Sequence, residues 1–197
     1  MIIGVTGQTG AGKSTVCKYL AERGLPVIDA DLSARRVISQ PEIIDALKSE
    51  FGGDIAENGA VVRKTLAERA FINRDKTDAL NRIMHPAIAE DMLSAAEKYE
   101  QNGEKAVIFD APQLFESGLN RSCALTVGIT ADERIRLARI IARDKLTPEQ
   151  EALRISAGKP DSFFESNCDL CIDAGSCEPE KVGEKIMSII CERIANT

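Results

Sequence analysis

The sequence has one histidine, no tryptophan and few aromatic residues, and each scarcity argues against a class of protein. A single histidine gives little support to a multi-histidine metal site or to a serine–histidine hydrolase. No stretch approaches the roughly 18 apolar residues that a membrane-crossing helix needs. The net charge of −6 lacks the surplus of Lys and Arg with which proteins coat nucleic acid. The N-terminus has no basic segment before a long apolar stretch, so we expect no secretory signal.

What is present indicates a globular α/β fold. The chain has 197 residues, of which 44% are hydrophobic and 28% charged, and this suits one compact domain with an inserted region. Short apolar runs alternate with segments whose apolar residues recur three and four positions apart. This alternation predicts a five-stranded parallel sheet with helices on both faces, and the strands are expected at residues 2–6, 27–29, 106–109, 125–129 and 170–172. In the last helical segment one face is marked by Val182, Ile186, Ile189, Ile190 and Ile194.

Residues 32–101 have no strong strand pattern. We interpret them as three or four helices, inserted between the second and third strands of the sheet and broken at Pro41, Gly52-Gly53, Gly59 and Pro86. The remaining segments, 1–31, 102–133 and 158–197, are expected to form the core, and 134–157 to form a lid.

Residues 7–14 read GQTGAGKS and match the pattern G-x-x-x-x-G-K-[ST] at every fixed position. A strand pattern precedes them and a helical pattern over 13–23 follows. Glycines let backbone amides surround a phosphate, and the helix N-terminus adds partial positive charge. We expect Lys13 to contact the β- and γ-phosphates of a nucleotide and Ser14 to ligate Mg²⁺. The predicted nucleotide-binding residues are Gly10, Ala11, Gly12, Lys13, Ser14 and Thr15.

The loop alone does not choose between a kinase, a GTPase switch and an ATPase. The guanine-reading pattern N-K-x-D does not occur, which disfavours a GTPase.

Two acids follow predicted strands, where ligands of parallel sheets bind. Asp31 comes after the second strand, and its carboxylate is a candidate base for an acceptor hydroxyl. The alternative is that Asp31 caps a helix starting at Leu32. Asp110 ends the third strand and is a candidate Mg²⁺ support through water, or else an ordinary acid in a turn.

The helical stretch 132–145 carries four arginines, and 134–145 holds five basic side chains against one acidic one. Spacings of three and four place Arg136, Arg139 and Arg143 on one face. A solvated surface helix would explain this pattern alone. Beside a phosphate loop, it favours a lid whose guanidiniums hold transferring phosphates.

In order and spacing, these motifs resemble the dephospho-CoA kinase family over nearly the whole chain. The segments that carry the resemblance are VTGQTGAGKST (5–15), VIDAD (27–31), LNRIMHP (80–86), PQLFESGL (112–119) and RLARIIARDKLTPEQEALRI (136–155).

The resemblance implies a P-loop kinase that uses ATP and Mg²⁺ to phosphorylate the ribose 3′-hydroxyl of dephospho-CoA, the last step of coenzyme A biosynthesis. It implies a helical acceptor-binding insertion and an arginine-bearing lid. By position, the implied catalytic residues are Asp31, Lys13, Arg139 and Arg143, and the implied acceptor-side residues are Asp31, His85 and Glu116. For His85, an ordinary helix-end histidine beside Pro86 is an equal alternative.

Three positions depart from the family pattern. Gln113 replaces a leucine, Gly158 replaces a glutamine that supplies a polar lid contact, and Ala174 stands in a shortened adenine-side segment without asparagine. We therefore expect adenine to be held mainly by backbone groups and packing.

Cys168 and Cys171 are spaced like zinc ligands, with Cys177 nearby, but a fourth ligand is missing, so we interpret them as ordinary thiols. We expect a monomeric cytoplasmic enzyme without disulfides, nucleic-acid partner or membrane contact. The alternatives are another small-molecule kinase, for a nucleoside, nucleotide or sugar acid, and a P-loop regulatory protein.

Overall fold

The chain folds around a five-stranded parallel sheet in the order β2-β5-β1-β6-β7. The computed structural model describes residues 1–144, 158–175 and 177–195. Its strands are Ile2–Gly7 (β1), Val27–Asp29 (β2), Ala56–Glu57 (β3), Ala60–Val61 (β4), Val107–Asp110 (β5), Leu125–Thr130 (β6) and Leu170–Asp173 (β7). Its α-helices are Lys13–Glu22 (α1), Ala30–Val37 (α2), Pro41–Phe51 (α3), Arg63–Ala70 (α4), Arg74–Gln101 (α5), Glu133–Asp144 (α6), Asp161–Asn167 (α7) and Pro179–Ala195 (α8). The predicted fold class is confirmed.

Strand β1 lies at the centre of the sheet. Ile3 faces Ile108 of β5 on one side and Leu125 of β6 on the other. Ile3 and Val5 are completely buried, because neighbouring strands and helices cover β1 on all sides. Continuous burial on both faces explains why the strand reads as an uninterrupted apolar run.

One compact unit comprises residues 1–28 and 98–197. Its core joins the sheet to α1 and α8, and Leu20, Ile186 and Ile190 are at most 1% exposed. Burying each such side chain contributes about 1.5–3 kcal/mol. Gly183 permits the two helices to approach closely, because a Cβ there would overlap the ring of Tyr19.

The second unit, residues 29–97, has its own apolar core, which includes Val37, Leu47, Ile55, Ala70 and Met84. Three or four helices were expected over 32–101, and the structure has four α-helices there, α2 to α5, of which α2 begins at Ala30. Outside the core, Arg69 donates to both carboxylate oxygens of Asp54 and to the Phe51 carbonyl, which joins α3, α4 and the turn between them.

The unit also contains a small hairpin that the sequence analysis did not predict. Strands β3 and β4 pair antiparallel around Asn58 and Gly59, whose φ values are 50° and 77°. Two consecutive residues with positive φ form the tight turn that suits a two-residue hairpin. Gly59 therefore lies in the turn of a hairpin and does not end a helix.

The expectation that Pro86 breaks a helix is wrong. Helix α5 runs for 28 residues through Pro86, which is exposed. A proline removes one helical hydrogen bond, but at a solvent-facing position water can donate a hydrogen bond to the carbonyl of Arg82.

Despite the length of α5, no helix in the described ranges has the apolar span that crossing a bilayer requires.

Asp169 and Thr126 connect the starts of β7 and β6. One carboxylate oxygen of Asp169 accepts from the Thr126 amide at 2.7 Å and from its hydroxyl at 2.8 Å, and the Asp169 amide donates to that hydroxyl at 2.9 Å. The hydrogen bond from the Thr126 side chain, and then that from its amide, lower the pKa of Asp169. A depressed pKa means that ionised Asp169 stabilises the fold above its unfolded pKa of about 3.9.

Asp169→Asn tests this contribution. At pH 7 we expect the free energy of unfolding to fall by about 1 kcal/mol, a low value because the residue is partly exposed. The difference from the wild type should shrink as pH falls below about 4 and through the lowered pKa, since both side chains are then neutral. Urea denaturation at several pH values measures it, with Asp78→Asn as an exposed control. Equal stability of wild type and Asp169→Asn at pH 7 would contradict the prediction that ionised Asp169 stabilises the fold.

Candidate active site

The loop between β1 and α1 is fixed by backbone hydrogen bonds at both ends. The Gln8 amide donates to the Ile129 carbonyl of β6 at 3.0 Å, and the Ala11 amide donates to the Gln8 carbonyl at 3.1 Å. Gly12, with φ 105°, precedes α1, and its carbonyl accepts from the amides of Thr15 and Val16. The predicted phosphate loop thus joins a buried strand to a helix N-terminus, which is the geometry of an anion site.

Two glycines are required by close packing. At Gly10, with φ 81°, a Cβ would lie 2.8 Å from both the Arg136 carbonyl oxygen and Ile140 of α6. At Gly7 a Cβ would overlap the Ile129 carbonyl oxygen. Any other residue at either position would push the loop away from β6 and α6.

The loop offers donors for a phosphate. In the described part of the chain, the amides of Gly10, Gly12 and Ser14 donate to no protein acceptor. Thr9, Ser14 and Thr15 are exposed. Unused amides next to the positive end of α1 fit a phosphate group.

Lys13 forms an ion pair with Asp110 at the end of β5. Only 13% of the Lys13 side chain and 11% of the Asp110 side chain are exposed. Asp110 reaches this position because Val5 of β1 pairs with it in the sheet. The pair brings together two of the predicted residues, the phosphate-contacting lysine and the acid considered for Mg²⁺.

The donor set around the loop suits Mg²⁺ chemically, since Mg²⁺ prefers hydroxyl, carboxylate and phosphate oxygens. The Ser14 hydroxyl is exposed in the first turn of α1, and Asp110 supplies a carboxylate. No group of three or more His, Cys, Asp or Glu side chains within the described ranges could hold a metal by protein ligands alone. Phosphate and water oxygens would then complete the coordination.

Arg139 lies directly at the loop. Its guanidinium donates to the Ala11 carbonyl and to the Ala174 carbonyl, both at 3.0 Å. Arg136 is buried and donates to the Ala131 carbonyl at 2.9 Å. The side chain of Arg143, and residues 145–157 of the predicted lid, lie outside the described residues.

The backbone of the segment after β7 is held by one backbone carbonyl and by two side chains. The Ala174 amide donates to the Thr130 carbonyl at 2.8 Å, and its carbonyl accepts from Arg139. The Gly175 amide donates to the Asp173 carboxylate at 2.7 Å. Ala174, which stands in the shortened segment without asparagine, is buried.

Glu116 forms an ion pair with Lys159 at 3.0 Å. The Lys159 ammonium also lies 3.9 Å from the centre of the Phe163 ring. Phe163 in turn contacts Phe115 edge-on. These contacts join the loop after β5 to Lys159 and to the first turn of α7.

Asp29, and not Asp31, caps helix α2. The Asp29 carboxylate accepts from the amides of Asp31 and Leu32, and the helix begins at Ala30. The alternative that Asp31 is the cap is therefore wrong. Asp31 is exposed in the first turn, and among the described residues its carboxylate has no hydrogen-bond partner.

His85 lies in the middle of α5 and is partly buried. The alternative of a helix-end histidine is wrong, because the helix continues through Pro86. Whether His85 contacts an acceptor stays a prediction.

The cysteines are thiols without disulfide bonds. Burial raises the pKa of Cys168 to about 12, and that of Cys123 to about 12. Burial also raises the pKa of Cys171. Such thiols are protonated near neutral pH and are poor nucleophiles.

Gln8 and Lys159 were not among the predicted site residues. Gln8 occupies a variable position of the loop motif, yet it is only 6% exposed. No local pattern marks it, because its partners lie more than 120 positions away in the sequence. The capping role of Asp29 did carry a local signal, since an Asp stands at the end of a predicted strand and directly before a helical pattern.

Comparison with known proteins agrees with these motifs. A sequence profile of the dephospho-CoA kinase family matches residues 1–177. Dephospho-CoA kinase of Fusobacterium nucleatum is 41% identical over 150 residues, which cover 76% of each chain. Dephospho-CoA kinase of Listeria innocua is 33% identical over 196 residues, 98% of this chain and 97% of the relative.

Solved structures show the same architecture. A Thermus thermophilus protein is 27% identical with a TM-score of 0.81, over 98% of this chain and 97% of that one. Dephospho-CoA kinase from Campylobacter jejuni has a TM-score of 0.62 at 21% identity, over 96% of each chain, and this similarity shows the fold alone. Since the profile and these relatives cover most of the sequence, the chain belongs to the dephospho-CoA kinase family.

Proposed function

We propose that the protein transfers the γ-phosphoryl group of ATP to the ribose 3′-hydroxyl of dephospho-CoA, which gives coenzyme A and ADP. The observation that carries the proposal is the family match over residues 1–177, which includes a complete phosphate loop. The unused loop amides and Lys13 support the binding of a nucleotide phosphate there.

In this mechanism the acceptor oxygen attacks the γ-phosphorus while the bond to the β–γ bridging oxygen breaks. Asp31 accepts the hydroxyl proton, which is consistent with its exposed, unpartnered carboxylate. Lys13, Arg139 and Arg143 stabilise negative charge on the transferring group, and the amides of residues 10–15 hold the phosphates. Transfer then depends mainly on positioning and electrostatics.

Mg²⁺ would be held by Ser14, with Asp110 contributing through water, and would neutralise phosphate charge. Lys13 forms an ion pair with Asp110, and ATP would offer Lys13 a second anionic partner. The acceptor side would include His85 and Glu116, and residues 134–157 would form the lid. We propose that residues 32–101 form the acceptor-binding insertion and that the enzyme is a cytoplasmic monomer.

The choice of acceptor is tested directly. Purified protein with ATP and Mg²⁺ is incubated separately with dephospho-CoA, nucleoside monophosphates, gluconate and shikimate. We expect ADP to form only with dephospho-CoA, and the product to be coenzyme A by mass. Phosphorylation of another acceptor would support a different small-molecule kinase. ATP hydrolysis that no acceptor changes would support a regulatory protein.

Asp31→Asn tests the general base. It should lower kcat by about 10²–10⁴-fold with little change in KM for ATP, because the carboxylate that takes the proton is lost. Asp29→Asn is the matched control, since Asn caps a helix about as well as Asp, and it should retain most activity. Normal turnover of Asp31→Asn with a loss in Asp29→Asn would reverse the two roles.

Lys13→Met tests the two roles of Lys13, the proposed phosphate contact and the ion pair with Asp110. Removing its charge should lower kcat by roughly 10²–10³-fold, because a phosphate contact is lost. It should also reduce stability by about 3 kcal/mol, because the buried Asp110 carboxylate loses an ionic partner.

The double variant Lys13→Met/Asp110→Asn removes that buried charge. We expect urea denaturation to show recovered stability and steady-state assays to show no recovered activity. Recovery of activity would mean that Lys13 serves the fold and not the phosphate.

A further inference from the structure

Gln8 is a polar residue with a buried side chain in the phosphate loop. Its exposed fraction is 6%, whereas the adjacent Thr9 is exposed. Burying an amide is unfavourable unless its donors and acceptor are hydrogen-bonded.

Both the nitrogen and the oxygen of the Gln8 side-chain amide are hydrogen-bonded. Its Nε2 donates to the Asp161 carboxylate at 2.6 Å and to the Lys159 carbonyl at 3.1 Å. Its Oε1 accepts from the Ala131 amide at 3.3 Å. One side chain therefore joins the phosphate loop to the residue after β6 and to the residues before and at the start of α7.

The Gln8 main chain is fixed as well. Its amide is held by Ile129, and its carbonyl accepts from Ala11, which forms the turn of the loop. The side chain and the main chain of Gln8 thus determine together where the loop begins and how it turns. A phosphate site depends on this, because its donors are backbone amides whose directions follow the turn.

We propose that Gln8 is a positioning residue for nucleotide binding. Its amide holds the start of the phosphate loop against residues 131 and 159–161, so that the loop amides keep the geometry a nucleotide phosphate requires. This inference rests on the proposed function, since it concerns the same loop.

The hydrogen bond from Gln8 to the Lys159 carbonyl also helps to position the Lys159 ammonium group. Gln8 holds the backbone of Lys159, while Glu116 and the Phe163 ring hold its ammonium group. Through Lys159, the phosphate loop is therefore connected to the segment after β5, which carries Glu116.

Gln8→Met tests the inference, because methionine has a similar length and makes none of these hydrogen bonds. Titration calorimetry with AMP-PNP and Mg²⁺, well below the melting temperature, measures nucleotide affinity without turnover. We expect the dissociation constant to rise about tenfold, with KM for dephospho-CoA nearly unchanged. The matched control is Asn167→Ala in α7, which removes an amide bonded to the Phe163 carbonyl at 2.7 Å, away from the loop.

Asp161 gives a second, charge-matched comparison that does not depend on how Gln8→Met folds. Asp161→Asn keeps an oxygen that can accept from Gln8, and Asp161→Ala removes it, while both lose the same charge. We expect Asp161→Ala to weaken AMP-PNP binding at least threefold more than Asp161→Asn. In the Gln8→Met background the two should be equal.

An affinity within twofold of the wild type for Gln8→Met overturns the inference, even if its melting temperature falls, because a purely structural role would change only stability. Equal affinities of Asp161→Ala and Asp161→Asn also overturn it. If the wild type itself does not bind AMP-PNP, the proposed function fails, and this inference fails with it.

Discussion

The backbone of the phosphate loop passes so close to β6 and α6 that Gly7 and Gly10 have no room for a side chain, and the rest of the site is arranged around this approach. The loop can be held there because β1 is buried at the centre of the sheet. The fold itself therefore orients the amides of the loop. Groups fixed in advance stabilise charge without reorganising during a reaction.

Charge is distributed unevenly along the sequence. The protein is acidic overall, yet residues 134–145 carry five basic side chains against one acidic one. Arg136 and Arg139 use part of their donor capacity on backbone carbonyls, so they fix α6 to the loop as well as contributing positive charge. Net charge was a poor guide to phosphate binding, because the relevant charges are local and backbone amides do not enter the count.

The strands and the phosphate loop could be predicted from sequence because both are determined locally, the strands by continuous apolar runs and the loop by fixed glycines. The hairpin at Asn58-Gly59 was missed although its signal was present. Pro86 was misjudged because a solvent-facing position tolerates the lost hydrogen bond. Gln8 could not have been predicted, since its role depends on distant segments that only the fold brings together. The proposed chemistry of Asp31, His85 and Arg143 still rests on sequence position.

The bonds that shape the loop also constrain the order in which the protein can become functional. Gln8 contacts residues 151 and 153 positions further along the chain, and Ala11 contacts one 128 positions away. Contacts of such separation form late, because the intervening chain must first lose its freedom. During synthesis, the loop emerges before Lys159 and Asp161, so it lacks these partners until the 151 to 153 residues that follow Gln8 have been made. The contacts that shape the loop therefore require a long stretch of chain, although the recognisable motif occupies only residues 7–14.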